Sequence, residues 1–134
     1  MRHDEWLLND LETIGVSRHE SLSKKPSQAV AEMVGSQYYW IYHWHPICLL
    51  GCISFLEGDP PQRKLIDQIQ EITGYPKTVF RTIAKHSYLD PDHRNHLNEL
   101  LDALPLSTTF ENWITSNALY SANKFSEIVK SIPR

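Results

Sequence analysis

Lys85-His86-Ser87-Tyr88-Leu89-Asp90-Pro91-Asp92-His93 sets His86, Asp90 and His93 at positions i, i+4 and i+7. At about 100° per residue the three side chains fall within roughly a 60° arc of one helical face. Two imidazoles and a carboxylate form an N/O donor mix that suits iron, manganese or zinc. A second reading stands beside this one. Asp90 is a good N-cap and Pro91 a good first residue of a helix, which leaves the histidines as ordinary, partly exposed side chains. In either reading the stretch belongs to helices.

Outward from it, the helical period continues in both directions. Pro76 opens a segment with Val79, Phe80 and Ile83 leading to His86, and the chain restarts at Asp90-Pro91 to run through Leu97, Leu100 and Leu101 until Leu104-Pro105 breaks it. Upstream, Leu65, Ile66, Ile69 and Ile72 mark a short amphipathic helix closed by Gly74. Before that, Ser27 is placed to cap a long helix through Ala31, Val34, Tyr38 and Ile41 towards Glu57. Pro46 predicts a kink or break in it near His45, and Gly58-Asp59-Pro60-Pro61 ends it. The first segment, His3 to Ile14, carries Trp6, Leu7, Leu11 and Ile14 at helical spacing with Gly15 at the C′ position. Ser17 to Ser27 reads as a polar connector. Thr108 and Glu111 make a capping box for a last helix with Phe110, Trp113, Ile114, Ala118, Phe125 and Ile128. No stretch alternates with period two. The expectation is an all-α helical bundle, one domain over residues 1–134.

Composition narrows the function. A chain of 134 residues with 41% hydrophobic and 22% charged residues can bury a real core. Its net charge of −3 argues against nucleic acid or an anionic membrane surface as the main partner. The apolar stretch Tyr38 to Leu56 contains His43, His45 and Pro46 and ends at Glu57, groups a lipid-facing helix would not carry. Met1-Arg2-His3-Asp4-Glu5 has no apolar region of a signal peptide behind it. Two cysteines, Cys48 and Cys52, are too few for a disulfide framework and fit a reducing cytoplasm.

Glu57 closes the run Ile47 to Leu56, continuing an apolar face of Leu50, Ile53 and Ser54. A carboxylate there reaches solvent past Gly58, is protonated or paired, or binds a cation. Paired with a His/Asp/His cluster on another helix it becomes a ligand candidate, because dimetal sites in bundles are built from facing helices. His43 and His45 sit among Tyr38, Tyr39, Trp40, Tyr42 and Trp44 and are read as aromatic packing; His96 is read as surface, and the two cysteines as core.

The aromatic run Tyr38 to Gly51, its end at Leu56-Glu57-Gly58, and His86-x3-Asp90-x2-His93 together resemble the heme-oxygenase-like non-heme diiron oxidases and oxygenases, also called iron-containing redox enzymes. The resemblance implies a heme-oxygenase-like bundle holding one or two Fe(II) ions, or Mn, that activates O2 against a small organic substrate. Residue by residue it assigns Glu57 to the second-helix carboxylate and His86, Asp90 and His93 to the third-helix set. It assigns His3 to the first-helix histidine, since Asp4 to Leu11 and Gly15-Val16 look like the family's residues on the C-terminal side of that ligand. It also implies a glutamate about two helical turns before His3, where this chain has only Met1 and Arg2. The expectation is therefore an N-terminally truncated form whose uncovered apolar face favours association, for instance as a homodimer. Two functions compete: an iron-dependent oxidase or oxygenase, and a non-catalytic remnant or helical interaction module of the same fold. Heme oxygenase itself would need a proximal histidine on its first helix, and the related thiamin-salvage hydrolases an activated cysteine, for which Cys48 and Cys52 show no base.

Overall fold

Asp10, which the sequence does not mark as a site residue, joins two distant stretches of the chain. In the computed structural model, which describes residues 3–132 apart from the side chains of Asp90 and Pro91, its carboxylate accepts from the Thr82 amide at 2.7 Å, from Thr82 Oγ1 at 2.7 Å and from Arg81 Nε at 3.0 Å. These are the first residues of a 23-residue helix. A side chain on α1 (His3–Thr13) thus caps the start of a helix far along the sequence, supplying an acceptor to an amide that has no partner within its own helix.

The elements in order are α1 (His3–Thr13), α2 (Arg18–Ser23), α3 (Gln28–His43), a 3-10 turn (Pro46–Cys48), α4 (Leu49–Glu57), α5 (Lys64–Thr73), a second 3-10 turn (Lys77–Val79), α6 (Arg81–Ala103) and α7 (Thr108–Lys130). Among the described residues there is no strand, as the absence of period-two alternation predicts, and no helix is long and apolar enough to cross a membrane. Contacts gather the chain into two compact units. One comprises Met1–Lys25 with Pro60–Asp92, the other Pro26–Asp59 with His93–Arg134.

In the first unit, Gly15 takes a φ of +85° and closes α1, with the amide of Val16 donating to Leu11 O at 3.1 Å. Gly74 does the same for α5 at φ +73°. These are the two positions where the left-handed backbone requires glycine. The expected connector after Gly15 contains a helix instead. Ser17 caps it by accepting from the Glu20 amide, and Arg18 in its first turn reaches back to Glu5 Oε2 at 2.8 Å and Asn9 Oδ1 at 3.0 Å. Its polar composition, stabilised by pairing with α1 instead of by apolar burial, offers no hydrophobic period to read. The restart expected at Asp90-Pro91 is also corrected: α6 runs from Arg81 to Ala103 as one helix. Its start is fixed upstream, where Asp10 accepts from the Thr82 amide, and the helix carries Pro91 although a proline there removes one backbone bond and crowds the carbonyl four residues earlier. α5 is amphipathic as expected, but its apolar stripe is left open at Ile72, 83% exposed.

The second unit packs α4 against α7, with α3 alongside. Ser27 caps α3 through the Val30 amide, and the helix breaks at His45-Pro46 as the proline predicts. Gly51 on α4 lies so close to α7 that a Cβ there would run into the carbonyl of Ile114 and the amide of Ala118. Phe55 and Phe125 meet at 5.6 Å further along the same seam. Buried Asn117 ties the broken segment together: its Nδ2 donates to Cys48 O at 2.5 Å and to Gln37 Oε1 at 2.8 Å. Ser121, wholly buried, finds no partner for its hydroxyl among the described residues. The cap of α7 is Ser107, which accepts from the Phe110 amide at 3.3 Å, one residue before the expected Thr108; with Phe110 at its third position, it is a single cap and not the expected box with Glu111. Adjacent hydroxyl residues offer the same chemistry, and the extended backbone at Ser107 selects between them.

Across the second unit, Lys124 Nζ lies 2.5 Å from Glu32 Oε2 and 2.9 Å from Glu127, while Gln28 donates to Glu32 Oε1 at 2.7 Å. The bond from Lys124 holds the Glu32 carboxyl below its ordinary range, and the bond to Glu32 holds the Lys124 ammonium above its own. A carboxyl whose folded pKa is depressed stabilises the fold above its unfolded value of about 4.3 and loses that contribution as pH falls through the folded value. A raised ammonium contributes below about 10.4 and loses its contribution as pH rises. Between about pH 6 and pH 3 the wild-type chain is therefore expected to lose more stability, in urea denaturation, than Glu32→Gln. Equal losses would mean the pair contributes nothing.

Candidate metal centre

The predicted donors are delivered by three helices. His3 opens α1, Glu57 ends α4, and His86 and His93 lie on α6 at the helical phase read from the sequence. The carboxylate of Asp90, assigned between them, lies outside the described side chains.

In the first unit the structure brings His3 and His86 together. Their ring centroids are 5.1 Å apart and the planes are almost perpendicular, at 86°. Two imidazoles bound to one ion through metal–nitrogen bonds of about 2.1 Å have centroids separated by roughly this distance. Trp6, one helical turn beyond His3, stacks on that ring at 4.7 Å and meets His86 edge-on at 6.4 Å. Lys85 Nζ lies over the indole, 3.9 Å from the Trp6 centroid. An indole holding two histidines by ring contacts fixes their orientation without consuming their nitrogen lone pairs.

In the second unit Glu57 and His93 meet. Glu57 Oε2 is 3.7 Å from His93 Nδ1, with both side chains about one-third exposed. That distance is too long for a good hydrogen bond and within the span of two donors on one ion at about 2.0 to 2.2 Å each. Of the readings open for Glu57, full escape to solvent past Gly58 is not the one the structure adopts. Among the described residues no three His, Cys, Asp or Glu side chains converge to hold an ion. The donors stand as two pairs, His3 with His86 and Glu57 with His93.

His43, Cys48 and Cys52 follow their packing readings, His45 packs against aromatic residues of α7 instead of its own run, and His96 is at the surface as read. His45 lies 4.8 Å from the Phe110 ring and 5.8 Å from Trp113, and its Nδ1 accepts from the Ile47 amide to cap the turn after the break. His43 packs beside Tyr39 at 5.4 Å, and the His96 side chain is exposed. Cys48 and Cys52 are buried and free, and burial pushes the Cys48 thiol up. A nucleophilic cysteine needs the opposite shift. Cys48 borders an apolar cavity of about 350 Å³ in the second unit, walled by Trp40, Trp44, Trp113 and Tyr120.

Sequence reasoning does not find Trp6, Lys85, Asp10 or Arg81 as site residues. Trp6 has the spacing of a core residue, and its i+3 relation to His3 is the one signal that it could stack on a ligand. Lys85 precedes His86 and carries no signal of its own. The partnership of Asp10 with Arg81 and Thr82 joins residues too far apart in the chain for any local pattern. Comparison with protein-family models, curated proteins and solved structures finds no match for this chain.

Proposed function

We propose that this chain is an iron-dependent, O2-activating oxidase or oxygenase of the heme-oxygenase-like class, acting on a small organic substrate through a non-heme dimetal site of His3, Glu57, His86, Asp90 and His93. The observation that supports it most is the pairing of His3 with His86, two residues assigned as ligands from separate parts of the sequence whose rings stand 5.1 Å apart. The second pair, Glu57 with His93, adds a carboxylate and an imidazole from the same assigned set. The donor set fits Fe(II), with Mn as the neighbouring choice: borderline imidazole nitrogens and hard carboxylates, with no thiolate that would favour zinc or a cluster.

When bound, the metal supplies the redox chemistry by which O2 is activated. The chain's own residues have simpler tasks. Neutral imidazoles of His3, His86 and His93 donate, and Glu57 and Asp90 provide negative charge against the cations. Trp6, in contact with both rings of the first unit, would hold their orientation. A second reading, a non-catalytic helical module, is favoured by the exposed aromatic row Tyr38, Tyr42 and Trp44 on and just beyond α3, the kind of surface on which a second copy or another helix associates.

Anaerobic titration with Fe(II), followed by O2, separates them. The oxidase reading expects saturable iron binding, at two ions per chain or per dimer, and a transient absorption band after O2. Binding no stronger than that of the double variant His86→Ala, His93→Ala would leave the helical module as the reading.

A further inference from the structure

We propose that the cavity of the first unit, about 220 Å³ and bordered by Trp6, Asn9, Asp10, Arg81 and Lys85, binds a small organic carboxylate. Two cations and one anion line it, and the anion is already engaged. Asp10 accepts from Thr82 twice and from Arg81 once. Lys85 is different. The residue is half-buried, with its ammonium over the Trp6 ring, and forms no ion pair with a described residue. Its charge is therefore open to pairing with an anionic ligand, since Asp10 in the same lining is taken up by Thr82 and Arg81. Arg81 uses Nε on Asp10 and Nη2 on the Asn9 carbonyl at 3.3 Å, leaving Nη1 without a bond to a described residue. Trp6 Nε1 is a further surplus donor, buried with no acceptor among the described residues.

Surplus donors and net positive charge in a concave site beside an aromatic plane suit a carboxylate attached to a flat or compact body. The volume is below that of a drug-sized ligand site and admits a small acid. Binding does not depend on a metal. Because Trp6 stacks on His3 and touches His86, an acid held here lies beside the first donor pair, which would make small organic acids the substrate class; that extension rests on the oxidase reading.

The test is a titration of the ¹⁵N-labelled full chain, kept free of metal by a chelator, with benzoate and its neutral isostere benzamide. The reporter is the Trp6 indole resonance, assigned with Trp6→Phe. Benzoate is expected to shift that resonance saturably and benzamide to leave it in place. Lys85→Met is expected to weaken benzoate roughly tenfold, the loss of one charge-assisted contact, and Lys85→Arg to retain it. If Lys85→Met does not fold, the benzoate and benzamide pair on the wild-type chain decides alone. No saturable shift with benzoate, an equal shift with benzamide, or tighter binding of inorganic phosphate at the same resonance would overturn the proposal. Because no metal is present, failure here leaves the iron titration untouched, and failure of that titration leaves this result standing.

Discussion

Gly51→Ala is expected to destabilise the second unit by about 3 kcal/mol, although alanine is the better helix former by about 1 kcal/mol. The added methyl has nowhere to go. Its nearest neighbours are the carbonyl of Ile114 and the amide of Ala118 on α7, and backbone atoms of a packed helix cannot swing aside as a side chain can. Relief requires α4 and α7 to separate, which opens the seam that holds Phe55 against Phe125 and moves Asn117 away from Cys48 and Gln37. Gly35 is the internal control. It lies on α3 with nothing within 4 Å of an added Cβ, so Gly35→Ala is expected to stabilise by roughly 0.5 to 1 kcal/mol. Urea denaturation followed by Trp fluorescence and circular dichroism compares the two. If both alanines raise the midpoint, the close approach of α4 to α7 is wrong.

Asp10→Ala is expected to cost the first unit about 3 kcal/mol, more than an ordinary cap, because it strands three donors at once. The Thr82 amide and hydroxyl lose their acceptor in a part-buried setting, and Arg81 loses its ion pair. Arg81 is half exposed and recovers water, which keeps the loss below that of a fully buried pair. Asp10→Asn keeps an acceptor for the amide and gives up the charge, so roughly half of the loss should return. Amide exchange localises the effect. The first turn of α6 should lose protection in Asp10→Ala while α7 keeps its own. Uniform loss across both, or none, would show that Asp10 does not anchor α6. Because His86 lies little more than one turn into α6, the same variant should also loosen the His3–His86 pair and, on the oxidase reading proposed above, lower the iron taken up in the Fe(II) titration.

Much of the architecture is legible along the chain because it depends on neighbours in sequence. Apolar spacing places α1, α3, α5 and α7; Pro46 places the break after His43; and Gly15 and Gly74 mark helix ends through the one conformation that needs them. Where local reading fails, two signals compete or none exists. Asp90-Pro91 carries a strong start signal, yet α6 starts at Arg81, where a residue of another helix caps it, and runs on through the proline. α2 has no apolar stripe, and the Ser17 cap together with Arg18 reaching α1 accounts for it.

The candidate ligands divide in the same way. Spacing within one helix sets the phase of His86, Asp90 and His93, since helical geometry is a local property of about 100° per residue. The sequence by itself determined that this is an all-helical chain with imidazoles and carboxylates at ligand spacing. Only the tertiary structure decided that His3 stands against His86, that Glu57 turns towards His93, and that Trp6, Lys85, Arg81 and Asp10 enclose a positively charged cavity beside the first pair. Those contacts join residues far apart in the chain, and the packing free energy that selects them is a property of whole faces meeting, which no local pattern encodes.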